Sequence, residues 1–143
     1  MKELHYIDTF YLAPFYLPEP ASEVVEDRLL SLPPGSIIIS PLVRAEFASL
    51  LARRCRMGEM KEAHARRVMR ALDTHLLENA IGLVPVQSED FDQAVTWIMA
   101  MTHPLRAPDA LHLAIAARVG AVFWTLDSRL EQAARWVGLE VGE

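Results

Sequence analysis

The sequence predicts an α/β domain with a central, mostly parallel sheet of four to five strands flanked by helices. Three observations support this prediction: short apolar runs alternate with segments of helical period, proline and glycine separate them, and 52% of the 143 residues are hydrophobic. The sequence shows no repeat, low-complexity tract or long linker, so residues 1–143 are expected to form a single domain.

The predicted strands are short apolar runs of the kind that a buried sheet requires. They are LHYID at 4–8, which ends in an acid, IIIS at 37–40, IGLVPV at 81–86, AVFWTL at 121–126, and LEV at 139–141, which is expected at an edge.

The segments between these runs are predicted to be helices. Three prolines in TFYLAPFYLPEP favour a short or broken first helix, and the apolar spacing of ASEVVEDRLLSL predicts a second. PLVRAEFASLLARR follows with Pro41 in its first turn, and Gly58 separates it from a long helix over about 59–78. Ser88 is expected to cap the next helix. The last two helices are predicted from Pro108 to near Gly120 and over DSRLEQAARWV.

Composition and charge exclude several classes of protein. No apolar stretch approaches the roughly 20 residues of a membrane-spanning helix, and the N-terminus MKELHYIDTFYL lacks the features of a signal peptide. Cys55 is the single cysteine, which excludes an internal disulfide and a cysteine-cluster metal site. We therefore expect a soluble cytoplasmic protein without membrane association. The net charge of −5 argues weakly against a general nucleic-acid-binding surface, although seven basic side chains, counting His64, gather in RRCR at 53–56 and HARRVMR at 64–70.

Four acidic residues occupy positions that a parallel sheet can bring to one edge. Asp8 ends the first predicted strand, and Asp127 follows AVFWTL. Glu46 lies about two turns into the helix after IIIS, and Asp109 lies in the first turn of the helix that precedes AVFWTL. Open α/β sheets bind ligands at the carboxyl ends of their strands. We therefore expect the four carboxylates to meet there, provided that the strand order brings the Asp109 helix to the same edge.

Carboxylates gathered in this way repel one another unless a cation neutralises them. Oxygen ligands suit Mg²⁺ or Mn²⁺, which commonly serve phosphodiester chemistry. The alternative is that each acid caps a helix or is solvated, which is the more common role of a single acid in such a position. Glu46 is the hardest to explain in that way, because it lies inside the mostly apolar helix LVRAEFASLL. The four acids together favour a metal site.

The motifs around these acids resemble those of PIN-domain proteins, specifically VapC-type toxins. The similarity covers YIDTFYLAPFY, ISPLVRAEFASLLARR, LRAPDALHLAIAARVGA and FWTLDSRLEQAARWVGL, in that order, from Tyr6 to Leu139. Its most specific part is an Asp that opens an Ala/Leu/His-rich helix, followed by a strand that ends in Thr-x-Asp-x-Arg-Leu. Phe10 departs from the family pattern, in which a small polar residue is more frequent.

The resemblance implies a PIN-like α/β fold and a Mg²⁺- or Mn²⁺-dependent endoribonuclease. Such a protein is the toxin of a pair with a VapB-like antitoxin, is usually a homodimer, and hydrolyses RNA through a metal-activated water. The resemblance places the catalytic and metal-binding acids at Asp8, Glu46, Asp109 and Asp127. All four acids are present, which favours this function over a catalytically incompetent PIN-fold module that binds RNA or protein. A phosphatase acting on small esters has no supporting Asp-x-Asp-x-Thr or phosphate-binding glycine loop.

Three further residues are candidates for supporting the acids or contacting the substrate. The Thr9 hydroxyl, directly after the first acid, can orient a water molecule or cap the next helix. Thr125 precedes Asp127 by two residues and therefore projects to the same side of a strand. Arg106 can pair with a carboxylate or contact phosphate. A purely structural role is equally expected for all three.

His112 follows Asp109 by three residues and shares its helix face. We expect it to be a packed or hydrogen-bonded side chain rather than a general base. Trp97, Trp124 and Trp136 are expected in the core, although each can stack on a base. The arginines of segment 53–70 are expected to contact RNA phosphates or an acidic antitoxin segment, or else to face only solvent.

Overall fold

A computed structural model describes residues 2–143, which form four strands and seven helices. The strands are β1 (His5–Ile7), β2 (Ile37–Ile39), β3 (Gly82–Leu83) and β4 (Val122–Trp124). The helices are α1 (Thr9–Tyr16), α2 (Ser22–Ser31), α3 (Pro41–Arg56), α4 (Glu62–Leu77), α5 (Ser88–Met99), α6 (Ala107–Val119) and α7 (Ser128–Trp136).

The four strands form one parallel sheet in the order β3-β2-β1-β4. Strand β1 is central: Tyr6 pairs with Ile38 of β2 on one side and with Phe123 of β4 on the other. The predicted α/β fold with a parallel sheet is confirmed. The run LEV contributes a single bridge from Val141 to Phe123 rather than a fifth strand. Because the strands are parallel, the residues that follow β1, β2 and β4 lie at one edge, which we call the carboxyl edge.

The strands are shorter than the apolar runs that predicted them. Buried side chains fill β1 and β4, and Tyr6, Ile7, Ile39 and Phe123 are inaccessible to solvent, whereas Leu83 of β3 is exposed. The run IGLVPV yields only the two residues of β3, and Pro85 beyond them has no N–H to donate to a ladder. Burial of the central strands therefore holds the sheet together, while its ladders remain short.

Helix α6 lies in the core and carries Asp109 in its first turn. Seven consecutive residues, from Ala110 to Ala116, are buried, so the helix is covered on all sides. Gly120 ends it with a left-handed φ of 69°, which glycine adopts without strain, and its N–H donates to the carbonyls of Ala116 and Ala117. Such a helix is a rigid support for the side chains that it presents at its start. None of the helices in the described part of the chain has the length and apolar character needed to cross a membrane.

The helix starts agree closely with the sequence except at α4, which begins at Glu62 rather than near residue 59, and at the cap of α5. Pro41 is in the first turn of α3, and α1 is short, as predicted. The predicted cap at Ser88 is wrong, because Ser88 is already helical and Gln87 is the N-cap. The Asp90 carboxylate accepts a hydrogen bond from the Gln87 N–H at 2.8 Å, which begins the helix one residue earlier.

An ion pair between a buried carboxylate and a partly exposed guanidinium joins α5 to α6. Asp90 is 2% exposed, and its two oxygens accept hydrogen bonds from Nε and Nη2 of Arg118 at 2.8 and 3.1 Å. Arg118 Nη2 also donates to the Pro85 carbonyl at 2.7 Å. Removing the guanidinium would leave the Asp90 charge buried with the Gln87 N–H as its remaining partner.

The substitution Arg118→Met is expected to lower the free energy of unfolding by about 3 kcal/mol, because it strands the buried carboxylate. Urea unfolding followed by far-UV circular dichroism measures the change. Arg135→Met is the matched control, since Arg135 pairs with Glu131 on the exposed face of α7 and its loss is expected to leave the unfolding midpoint unchanged. Equal unfolding midpoints for the two variants would show that the Arg118–Asp90 ion pair does not stabilise the fold.

Candidate active site

The central strand delivers Asp8 to the carboxyl edge of the sheet. Asp8 is the N-cap of α1, and its Oδ1 accepts a hydrogen bond from the backbone N–H of Tyr11 at 2.8 Å. The residue is 3% exposed. The N-terminus of a helix favours negative charge, which offsets part of the free-energy cost of burying this carboxylate.

Glu46 reaches the same edge from α3, the helix that Ser40 caps at the end of β2. Its Oε1 accepts a hydrogen bond from the hydroxyl of Thr9 at 2.8 Å. Because Thr9 is the chain neighbour of Asp8, this bond holds Glu46 beside the end of β1. The Glu46 side chain is 31% exposed, so it is the more accessible acid of the pair.

The environments of these two acids shift their pKa values in opposite directions. Burial raises the pKa of Asp8 to about 6, and the nearby Glu46 charge adds to this, against hydrogen bonds from Thr125 and Tyr11. Burial also acts to raise the pKa of Glu46, but hydrogen bonds from His112 and Thr9 and the charge of Arg106 act against it, so this pKa is lowered. Neighbouring carboxylates with separated pKa values are typical of sites that bind cations or transfer protons.

A chain of hydrogen bonds runs from Glu46 into the core. His112 Nε2 lies 2.5 Å from Glu46 Oε1, and His112 Nδ1 lies 2.7 Å from the Tyr6 hydroxyl. The Tyr6 hydroxyl lies 2.8 Å from the hydroxyl of Ser40. Tyr6, Ser40 and His112 are all buried. The expectation of a hydrogen-bonded His112 is thus confirmed, and its partner is the catalytic candidate on α3.

Asp109 and Asp127 form a second pair, across a cleft of about 430 Å³ that also has Arg106 and Arg129 in its lining. Asp109 Oδ2 accepts a hydrogen bond from the Arg106 N–H at 3.3 Å and lies 3.8 Å from Arg106 Nε. Asp127 is the N-cap of α7, and its Oδ1 accepts from the N–H groups of Arg129 and Leu130 at 2.9 and 3.4 Å. Both acids therefore cap helices, as the structural alternative anticipated.

The four acids lie in two pairs rather than in one close cluster. Arg106 connects the pairs electrostatically, because it contacts Asp109 and its charge lowers the pKa of Glu46. Thr125 also connects them: its hydroxyl accepts from the Asp127 N–H at 3.1 Å and contributes to lowering the pKa of Asp8. Across residues 2–143, however, no three His, Cys, Asp or Glu side chains are grouped closely enough to hold a metal ion.

The donor chemistry nonetheless fits a hard divalent cation. Asp8 is a buried carboxylate with an unfavourable negative charge, and Glu46 beside it has one oxygen, Oε2, to which no group in residues 2–143 donates a hydrogen bond. Mg²⁺ binds through one or two carboxylates and keeps several waters, so it does not need three preformed protein ligands. The ligand roles of the four acids remain predictions.

The weaker candidates all contact these acids. Thr9 donates to Glu46, Thr125 accepts from the Asp127 backbone, and Arg106 lies beside Asp109. Sequence reasoning missed Tyr6 and Ser40. The available signal was polarity: a tyrosine within the buried strand β1 and a serine that ends the run IIIS both need hydrogen-bond partners.

The tryptophans differ in exposure. Trp124 is buried and donates from Nε1 to His5 Nδ1 at 2.9 Å, and Trp97 packs against the core. The expectation that Trp136 is a core residue is wrong: it is 38% exposed and packs against His103 at the end of α7, with ring centroids 5.3 Å apart.

The basic segment 53–70 covers the end of α3 and most of α4. Arg54 pairs with Glu19 at 3.5 Å, while the remaining five arginines of the segment are exposed: Arg53, Arg56, Arg66, Arg67 and Arg70. A cleft of about 410 Å³ between the two helices has an apolar lining edged by Arg56 and Arg66. None of the four acids lines this cleft, although α3 also carries Glu46.

A parallel sheet with acidic residues at its carboxyl edge is what the resemblance to PIN-domain proteins predicted, and a comparison with protein-family models agrees with that prediction. Residues 5–135 match the model of the PIN domain, so the chain belongs to the PIN-domain family. No curated protein sequence matches the chain.

Solved structures share the fold at low sequence identity. VapC20 of Mycobacterium tuberculosis, a sarcin-ricin loop cleaving toxin, is 20% identical with a TM-score of 0.73, over 90% of this chain and 94% of that one. FitAcB from Neisseria gonorrhoeae is 18% identical with a TM-score of 0.71, over 98% and 97%. VapBC2 from Rickettsia felis, bound to a promoter DNA fragment, is 14% identical with a TM-score of 0.66, over 97% of each chain. These similarities confirm the PIN fold that the sequence predicted.

The substitution Asp8→Asn is expected to stabilise the metal-free protein at neutral pH. The folded-state pKa of about 6 lies above the ordinary value of 3.8, so the wild-type protein loses stability as the pH rises through this range. Asparagine carries no charge and keeps the Tyr11 hydrogen bond. We expect a gain of about 2 kcal/mol at pH 7.5 and little difference near pH 4.

Urea unfolding in the presence of a chelator, at both pH values, measures this effect. Asp92→Asn is the control, because Asp92 is an exposed carboxylate on α5. A stability difference for Asp8→Asn that does not depend on pH would show that the buried charge is not its origin.

Proposed function

We propose that this protein is a metal-dependent endoribonuclease, the toxin of a toxin–antitoxin pair. The observation that carries the proposal is the Asp8–Glu46 pair at the carboxyl edge of a PIN-family sheet, with one acid buried and the other accessible. Asp109 and Asp127 line the neighbouring cleft and complete the acid set that the sequence predicted.

The four acids are the proposed ligands of one or two Mg²⁺ or Mn²⁺ ions. A divalent cation at these carboxylates would supply charge neutralisation for the phosphodiester and lower the pKa of an attacking water. The buried Asp8 carboxylate provides a negative charge that the protein only partly compensates, and Glu46 provides an oxygen that no group in residues 2–143 occupies. Thr9 holds Glu46 in place beside Asp8.

The surroundings of the acids suit a polyanionic substrate. Arg106 and Arg129 are exposed and line the cleft with Asp109 and Asp127. Helices α1 and α7 start at Asp8 and Asp127, and α6 starts just before Asp109, so N-terminal helix dipoles favour phosphate there. We assign RNA as the substrate because the similar VapC20 is a toxin that cleaves the sarcin-ricin loop.

We also propose a VapB-like antitoxin as the protein partner and a homodimer as the assembled state. Support for the antitoxin comes from the VapBC2 structure, which shares the fold. The exposed arginines of segment 53–70 are candidates for contacts with an acidic part of that partner.

Purified protein is expected to cleave RNA when Mg²⁺ or Mn²⁺ is added and to stop when a chelator is added. Attack by water leaves a 5′-phosphate and a 3′-hydroxyl, which end-labelling and mass spectrometry distinguish. Asp109→Asn is expected to lower the cleavage rate by at least about 100-fold, because a metal ligand supplies several kcal/mol of transition-state stabilisation. Asp92→Asn serves as the control. Products with a 2′,3′-cyclic phosphate, or cleavage that persists in the chelator, would refute the mechanism.

A second candidate function is a PIN-fold module that binds RNA or protein without cleaving it. The separation of the acids into two pairs, with no close group of three in residues 2–143, favours this alternative. Titration calorimetry with Mn²⁺ separates the two candidates. A nuclease is expected to bind Mn²⁺ with an affinity that falls in Asp109→Asn, whereas negligible heat in both proteins would support the binding module.

A further inference from the structure

Within residues 2–143, the two hydrogen bonds donated to the Glu46 carboxylate end on the same oxygen. Thr9 Oγ1 and His112 Nε2 each approach Oε1, at 2.8 and 2.5 Å. Within residues 2–143 no group donates to Oε2, and the side chain is 31% exposed. The carboxylate is therefore fixed through one oxygen, while the other is free to meet a ligand.

The orientation of His112 depends in turn on Tyr6 and Ser40. Tyr6 is fully buried, so its hydroxyl needs a hydrogen-bond acceptor within the protein. His112 Nδ1 at 2.7 Å is that acceptor when the Ser40 hydroxyl donates to the Tyr6 oxygen. The His112 proton then lies on Nε2, facing Glu46. Ser40 Oγ also accepts from the Val43 N–H at 3.4 Å, which completes the chain at the start of α3.

We propose that Ser40, Tyr6 and His112 are positioning residues that hold Glu46 with its Oε2 directed at a divalent cation. The inference rests on the proposed function, since it assigns a role toward the cation that function requires. The hydrogen bonds link Ser40, at the start of α3, to β1, α6 and Glu46 on α3, so three elements of the fold set the rotamer of this half-buried acid. Hydrogen-bond partners behind a metal ligand fix its orientation, and their loss commonly lowers metal affinity 10–100-fold.

A purely structural role predicts a different outcome, and the molecule contains a matched control. The Tyr16 hydroxyl lies 2.5 Å from His75 Nδ1, so the two residues form a second Tyr–His pair, which is partly buried. Within residues 2–143, no hydrogen bond joins this pair to any of the four acids. Tyr6→Phe and Tyr16→Phe each remove one hydroxyl from such a pair. If the hydroxyl matters only for packing and stability, the two variants behave alike.

The test is Mn²⁺ binding, measured by titration calorimetry and by the electron paramagnetic resonance signal of free Mn²⁺. Tyr6→Phe is expected to raise the Kd about 10-fold, while Tyr16→Phe stays within about twofold of wild type. Near-UV circular dichroism and thermal melts confirm that both variants are folded. An unchanged Kd in folded Tyr6→Phe would overturn the proposal.

Substitutions at His112 provide the second arm. His112→Leu removes the donor to Glu46 and is expected to weaken Mn²⁺ binding by about 10-fold or more. In His112→Gln the side-chain amide N–H can replace the imidazole Nε2–H, so a partial recovery of affinity is expected. Equal affinities for the leucine and glutamine variants would contradict a positioning role.

Nitrogen-15 spectra of the imidazole give a readout that needs no metal. In the metal-free wild-type protein, His112 is expected to carry its proton on Nε2, and a bare Nε2 would overturn the proposal. If wild-type protein binds no Mn²⁺, the proposed function fails; if it binds Mn²⁺ and Tyr6→Phe binds it equally well, only the positioning role fails.

Discussion

The burial of one carboxylate at the end of the central strand constrains the rest of the site. Asp8 is tolerated there because the Tyr11 N–H, at the start of α1, donates to it and because Thr125 lies at the end of the neighbouring strand β4. The Tyr11 N–H is supplied locally by α1, whereas Thr125 is near Asp8 only because β1 and β4 are adjacent and parallel. The compensation is incomplete, since the pKa of Asp8 stays raised to about 6. The residual unfavourable charge is a property that favours cation binding, and it limits the stability of the empty protein.

A second feature of the site is a line of hydrogen-bonded polar side chains that crosses the core. Tyr6 and His112 lie among apolar side chains of the sheet and of α6, where an unpaired hydroxyl or imidazole N–H is costly. Their hydrogen bonds connect Ser40 to Glu46 with a donor and an acceptor at each step. Networks of this kind specify one arrangement of side chains, because any other leaves a buried group unsatisfied.

Local sequence patterns predicted much of this fold. Contacts between residues that are distant in the sequence could not be predicted in this way. Apolar runs and caps identified the strands and helices, and Glu46 was recognised because an acid inside an apolar helix has no capping role. The partner of His112 was not predictable, because Glu46 is 66 residues away and the contact depends on how α6 packs near α3. Strand order likewise decides that Asp109 and Asp127 share a cleft. The length of the strands was overestimated, because apolar composition reports burial, whereas a ladder also needs available N–H groups, which Pro85 lacks.

The structure reconciles the two explanations of the acids that the sequence left open. Asp109 and Asp127 both accept N-terminal hydrogen bonds, yet each does so through one oxygen, Oδ2 in Asp109 and Oδ1 in Asp127. Within residues 2–143, the Glu46 carboxylate likewise accepts hydrogen bonds through Oε1 alone. A cap that occupies one oxygen fixes the rotamer of the carboxylate and leaves the second oxygen for another ligand. Capping and cation binding are therefore compatible at these positions, and the first prepares the second by reducing the conformational entropy that binding would otherwise remove.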